Sequence, residues 1–449
     1  MTVHIGCAAG FAGDRHDASP PVIAALARHD GPKYLMFEVL AERTLALAQK
    51  DRLADPSRGY SPYLDPYLRL ALAPALAAGV RIVSNMGAAN PLAAGHQVRA
   101  LAAELGLAPP RVAVVLGDDL LQEMTEAEIR AASTMEGIAL GPRPLVAANA
   151  YLGARPIAEA LATGADIVLV GRSTDSALAL GPLVHEFGWG EQDWDRLAAG
   201  TIAGHLLECG AQVTGAYFAD PGFKDVPDLA RVGFPIAEVA ADGTMVITKP
   251  RGTGGCVTRA TVTEQLLYEM HDPAAYLTAD CTADITALHL AEDGPDRVRV
   301  TDVRGHPAPQ TLKATVSVED GWHAEAELSY AGPNALARAR LAGGVLVERL
   351  AIRGHNQRPR VEVIGAGSVL TGGHAVDAPA DGDYRLRAAM QAETREVVEV
   401  LADEMLTLYC SGPAGGGGWR RHVTAQIATA SILVPRERVE PNVRVEVLE

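Results

Sequence analysis

Six stretches of this 449-residue chain end a short apolar run on a polar group able to bind or catalyse. The sharpest spans residues 164–189. There Ile167-Val168-Leu169-Val170 breaks at Gly171-Arg172-Ser173-Thr174-Asp175, and Ala177, Leu178, Leu180 and Leu183 then recur at helical spacing. A mostly β-branched run of this kind reads as a strand buried on both faces. Strand, polar turn and helix together are the unit of an open parallel sheet, whose ligands sit beyond the carboxyl ends of the strands. Five further runs end in the same way. Asp14 and Arg15 follow 3–7, Glu38 ends 34–38, Asn85 and Asn90 follow 80–84, Asp118 and Asp119 follow 111–116, and Asn149 follows 145–148. Carboxylates can move protons, arginines can clamp a carboxylate or phosphate, and asparagines can orient a carbonyl. Taken as a set, these groups predict one ligand site. Asp118, Asp119 and Asp175 are its candidate catalytic groups, and Asp14, Arg15, Asn85, Asn90, Asn149, Arg172 and Ser173 its candidate substrate contacts. The plainer readings are a helix cap for Asp119, a surface pair for Asp14 and Arg15, and structural turns for the asparagines.

Two glycine-rich loops extend the set. Gly252-Thr253-Gly254-Gly255-Cys256 precedes a helical pattern, and Gly415 to Gly418 precedes Trp419-Arg420-Arg421. Loops of this kind can aim N–H groups at an anion, so Gly254, Gly255, Gly415 and Gly416 are expected to hold a phosphate or oxyanion. Clustered Asp118, Asp119 and Asp175 would suit Mg²⁺, although no spacing forces further ligands. No cofactor is certain from the sequence. The loop at 10–15 is not GxGxxG, and neither a GxSxG elbow nor a Walker A sequence occurs.

These residues need a scaffold. The six apolar runs alternate with helical patterns, which predicts a mainly parallel, Rossmann-like α/β domain over 1–215. Beyond it, extended runs gather around Asp242-Gly243, a strong hairpin signal, and around Glu319-Asp320-Gly321. A helix over 334–341, a strand over 361–364, a long amphipathic helix over 385–408 and a final strand at the tail complete an α+β domain over 216–449, with antiparallel strands.

Composition removes several classes. The formal net charge is −16, with 39 Lys and Arg against 55 Asp and Glu, which argues against a nucleic-acid binder. The amino terminus lacks a basic segment followed by an apolar core, and no apolar run is long enough to span a membrane. The five cysteines form no CxxC pair, which favours a reducing cytoplasm over a disulfide framework.

The motifs GFAGDR, SNMGAANPLAA, VVLGDDLL, ANAYLGARPIAEAL, GADIVLVGRSTDSALALGPLVHEFGW, LAAGTIAGHLLECGAQVTG, RGTGGCVT and GPAGGGG resemble the acyclic terpene utilisation (AtuA) family over nearly the whole chain. The resemblance implies a cytoplasmic protein of branched-acid or terpenoid catabolism, working among enzymes of acyl-CoA thioesters. It also implies a small partner subunit of ferredoxin-like appearance and a homo-oligomer. It supplies no catalytic residue. The expected function is a lyase or hydro-lyase acting on a small carboxylic acid or CoA thioester. A non-catalytic subunit of an acyl-CoA-processing assembly and a thioester or amide hydrolase are the alternatives.

Overall fold

The computed structural model describes residues 1–355, 357–369 and 378–448. The chain forms two compact units, one of Met1–Gly141, Leu145–Ser317 and Thr429–Glu449, the other of Pro142–Pro144 and Val318–Ala428. The strands in chain order are β1 (Thr2–Cys7), β2 (Lys33–Phe37), β3 (Arg81–Ser84), β4 (Val112–Leu116), β5 (Leu145–Ala150) and β6 (Ile167–Leu169). They continue with β7 (Ile236–Ala240), β8 (Met245–Thr248), β9 (Tyr276–Leu277), β10 (Thr282–Asp284), β11 (His289–Glu292), β12 (Val298–Thr301) and β13 (Arg304–His306). The last five are β14 (Thr311–Gly332), β15 (Arg360–Ile364), β16 (Gly382–Ala392), β17 (Gly417–Pro435) and β18 (Arg444–Leu448).

In the first unit a ten-stranded sheet has the order β11-β12-β8-β7-β1-β2-β3-β6-β4-β18. Its centre, β1-β2-β3-β6-β4, is parallel. Antiparallel strands extend it on both sides, with β7 on β1 and β18 on β4. The expected boundary at residue 215 is therefore not where the units divide. The hairpin β7–β8 around Asp242-Gly243 forms as expected, but it lengthens the first sheet instead of starting a second domain. Helices such as Leu64–Ala77 and Pro91–Glu104 cover the parallel strands, and the core joins Leu68, Leu72 and Val98 to Leu35, Phe37, Val112 and Ile167. Each of these fully buried side chains is worth about 1.5–3 kcal/mol of transfer free energy.

Of the six runs expected in one parallel sheet, five are there and β5 is not. β5 pairs with β14 instead. The reason lies at β4, whose two edges are already taken by β6 and β18. The run expected as a hairpin around Gly321 is one continuous 22-residue strand, β14. Gly321 sits at φ 71°, which lets the strand bend without reversing.

The second unit takes its four strands in the order β15-β16-β14-β17. Helix Ala335–Ile352 lies in sequence between β14 and β15, and helix Arg395–Ser411 between β16 and β17. A β-α-β-β-α-β chain in this strand order is the ferredoxin-like split arrangement. The helix expected over 385–408 starts only at Arg395. Before it, β16 buries alternate residues Tyr384, Leu386, Ala388 and Met390. Arg385 and Arg387 between them face outward to Glu327 at 3.2 Å and Glu362 at 2.9 Å. That period of two is the pleat of a strand.

Candidate active site

The carboxyl ends of the central strands lie together in the first unit, and hydrogen bonds tie them. After β2, the Glu38 carboxylate accepts from Leu40 N at 3.0 Å and from Asn85 Nδ2 at 2.9 Å. Asn85, just past β3, is fully buried and accepts from Val39 N at 2.8 Å. After β4, Asp118 Oδ2 accepts from Asn149 Nδ2 and from Arg172 N, both at 2.9 Å. Asn149 thus reaches the strand ends from outside the parallel sheet, through its bridge to Asp119. Gly171 permits the contact with Asp118, because a Cβ there would lie 2.6 Å from Asp118 Oδ2.

Arg172 is the hub. Its guanidinium donates to Leu40 O, lies 3.5 Å from both Asp175 Oδ1 and Glu42 Oε1, and stacks 4.1 Å from the Tyr151 ring centre. Tyr151 donates its hydroxyl proton to Glu42 and lies 3.2 Å from Thr315 Oγ1. Burial opposes the charge on Arg172, but Asp175, Tyr151 and Glu42 hold it charged. With 3% of its surface exposed, it organises the turn from within. Three buried polar atoms of the same turn, Arg172 Nε, Ser173 Oγ and Ser176 Oγ, have no hydrogen-bond partner among the described residues. Buried polar atoms are normally paired, so these three are the unsatisfied groups of the turn.

Two carboxyls stand out. Burial pushes Glu38 up to about 8, with Asp175 adding to the effect. Burial likewise pushes Asp175 up to about 7 against the pull of Arg172, with Glu208, Glu42 and Glu269 raising it further. Both carboxyls are therefore raised in the same direction, and the rise of Glu38 depends in part on the charge of Asp175. Asp175 keeps 31% of its side chain exposed, so solutes can reach it. Asp118 is pushed up to about 6 by burial, and its Oδ2 accepts from both Asn149 and Arg172.

Beside Asp175 lies a further polar group that the sequence did not announce. His205 Nδ1 is 2.9 Å from Glu208 Oε1, and its ring is 5.3 Å from that of Tyr276. Burial works against protonation of His205, yet Glu208 wins and raises its pKa. Tyr276 is raised by burial and then by Glu208 and Asp175, which puts it in the same field. Glu42, Glu208 and Tyr276 lie at neither the carboxyl end of a strand nor a glycine-rich loop, while Tyr151 directly follows β5. Glu208 and His205 sit in a helix, Trp194–Glu208, whose apolar composition points to packing.

The remaining candidates go elsewhere. Asp119 caps a short 3₁₀ turn by accepting from Leu121 N at 3.1 Å, and it pairs with Arg52 at 3.4 Å. Asp14 accepts from Gly10 N and Arg15 N and so closes its own loop. Arg15 faces Ala230 O, Asp17 and the Phe234 ring. Asn90 caps helix Pro91–Glu104 and donates to Pro56 O and Arg58 O. Asp118, Asp119 and Asp175 are not gathered for Mg²⁺. Among the described residues, the one group of three His, Cys, Asp or Glu side chains at ligand distance is His4, His29 and Glu238.

The loop over 252–255 is also not an anion cradle. Gly254 N donates to Arg231 O at 2.7 Å, Gly255 N to Pro227 O at 2.8 Å, and Cys256 N to Thr214 O at 2.8 Å. Its N–H groups are spent on packing. A Cβ on Gly254 would lie 1.9 Å from Asp228 O. We expect Gly254→Ala to destabilise the protein by at least about 2 kcal/mol in denaturant titrations, through loss of this packing. Gly415 and Gly416 belong to the second unit, where Gly416 lies against Leu328 and Tyr330.

The fold is a mixed α/β one whose central parallel strands end on carboxyls, amides and the buried Arg172. The chain belongs to the acyclic terpene utilisation family of AtuA proteins, whose sequence profile matches residues 3–445. No curated protein matches it. No helix among the described residues is long and apolar enough to cross a membrane.

Proposed function

We propose that the protein is an enzyme of lyase or hydro-lyase kind, acting on a small carboxylic acid or an acyl-CoA thioester. The reading rests on one observation, that Glu38 and Asp175, beyond the ends of β2 and β6, are two carboxyls that burial raises toward neutrality, with the charge of Asp175 adding to the rise of Glu38. Two carboxyls sharing one proton give a base and an acid at the same pH. The ionised member takes a proton from the carbon next to the carbonyl. The protonated member gives its proton to a departing hydroxyl, which leaves as water, and the carbon–carbon double bond forms. Hydration is the reverse, with the same two groups exchanging roles. Ser173 Oγ and Ser176 Oγ, without partners among the described residues, are the groups left to meet a substrate's polar atoms. Arg172 keeps Asp175 and Glu42 in position and limits how far Asp175 rises.

The cysteines nearest these groups favour acid–base chemistry over a thiolate nucleophile. Burial pushes both the Cys7 and Cys209 thiols up, which keeps them protonated.

The test is to incubate the protein with 3-hydroxyacyl- and 2-enoyl-CoA thioesters and the matching free acids. Ultraviolet absorbance would follow the double bond, and a thiol reagent would follow free CoA. Addition or elimination of water is the expected result. Release of CoA without change at the double bond would replace the reading with the hydrolase. Turnover that begins only when a partner protein is added would replace it with the subunit.

A further inference from the structure

At the other end of β1, His4 is level with Lys33, the first residue of β2, and directly opposite Glu238 of β7. His29, in the segment between helix Ser19–Leu26 and β2, stacks on His4 with ring centres 3.9 Å apart. One ligand atom from each of His4, His29 and Glu238 falls within 4.8 Å of the others. His4 is 7% exposed, and its Nδ1 is buried without a hydrogen-bond partner. A backbone contact does not explain that atom, and a buried imidazole nitrogen left unpaired carries a desolvation cost.

We propose that His4, His29 and Glu238 form a binding site for a zinc-class divalent metal ion. Two imidazoles and a carboxylate are the donor set that borderline ions such as Zn²⁺ prefer over Mg²⁺ or Ca²⁺. Three protein ligands leave a fourth position for water. Tetrahedral zinc needs its ligand atoms at about 2.0–2.2 Å from the ion. It also needs the two rings to unstack, since a metal lies in the plane of each imidazole. His29 can supply that movement, because it is partly exposed and outside regular structure, while His4 and Glu238 are fixed in paired strands. Arg297 already holds both oxygens of Glu238 at 2.8 Å. A carboxylate has about four lone-pair sites, so the pair can persist beside a metal and orient the carboxylate. Lys33 and Arg297 add positive charge that weakens the site, and Asp293, 3.8 Å from Arg297, offsets part of it. The site lies away from the acid pair and is independent of the reaction proposed there.

The experiment is calorimetric titration of the full-length, metal-stripped protein with Zn²⁺ at neutral pH, paired with Co²⁺ absorption spectra and thermal melts. One equivalent should bind and raise the melting temperature, because the unfolded chain lacks the assembled ligands. The cobalt spectrum should show tetrahedral d–d bands without thiolate charge transfer. His29→Ala and Glu238→Gln should each lower affinity by at least about tenfold, and circular dichroism would confirm that both stay folded. Absence of binding, a thiolate-type spectrum, or binding undiminished in His29→Ala would each overturn the proposal.

Discussion

Asp175→Asn is expected to lower turnover by at least about 10²-fold, the scale of one lost general acid–base group, while the protein stays folded. The amide keeps the shape of the side chain and can still face Arg172, but it cannot give up or take a proton. The same variant should alter the pH dependence of stability. Glu38 and Asp175 have folded-state pKa values raised above those of free carboxyls, to about 8 and about 7. The folded state therefore binds more protons than the unfolded chain between about pH 4 and 8. Their contribution is fully present below the unfolded carboxyl range and is lost as pH rises through the folded values. Removing one member of the pair removes part of that loss. The melting temperature of Asp175→Asn relative to the parent should then move upward as pH rises from mildly acidic to mildly alkaline. A relative stability that stays flat over this range would show that the two carboxyls are not raised together.

Arg172→Ala should have the largest effect on stability, a loss of about 3–5 kcal/mol, as when one member of a buried charged group is deleted. The substitution removes the partner of Leu40 O, Asp175 and Glu42 at once and leaves the Tyr151 face bare. The two carboxylates left behind can relieve their repulsion by protonation. The defect should therefore be greatest in alkaline solution and shrink toward acid, as read from urea titrations at several pH values. Arg172→Lys should fall between the two, since an ammonium restores the charge without the planar fork or the stacking. A loss that does not change with pH would mean that packing, not charge, dominates at Arg172.

Much of this geometry follows from local pattern. Runs such as Tyr34 to Phe37 and Ile167 to Leu169 can be read as buried strands because both of their faces are apolar, and the polar residues that follow can only lie at the strand ends. That logic reached Glu38, Asn85, Asp118, Arg172 and Asp175. It could not tell which of them face a ligand and which face each other. Asp118 looks like a catalytic acid in sequence, and in the fold its Oδ2 is taken by Asn149 and the backbone of Arg172. The glycines at 252–255 look like an anion loop because glycine marks both exposed cradles and close packing. The carbonyls that occupy their N–H groups come from Thr214, Pro227 and Arg231, outside the local pattern. The strand over 382–392 was hidden because Arg385 and Arg387 suit an exposed helix as well as the open face of a sheet. Glu208 and Tyr276 gave no local signal, since their relation to Asp175 exists only after folding.

The central claim is that Glu38 and Asp175 share a proton at neutral pH. Carbon-13 NMR of selectively labelled aspartate and glutamate side-chain carboxyls, followed across pH, tests it most directly. One aspartate should titrate at about 7, above Asp118 and Asp280 at about 6, and one glutamate at about 8. The aspartate signal should vanish in Asp175→Asn, and the partner signal should shift toward acid in the same variant. If every aspartate and glutamate carboxyl is ionised by about pH 5, the range of unperturbed side chains, the pair holds no proton and the proposed chemistry has no basis.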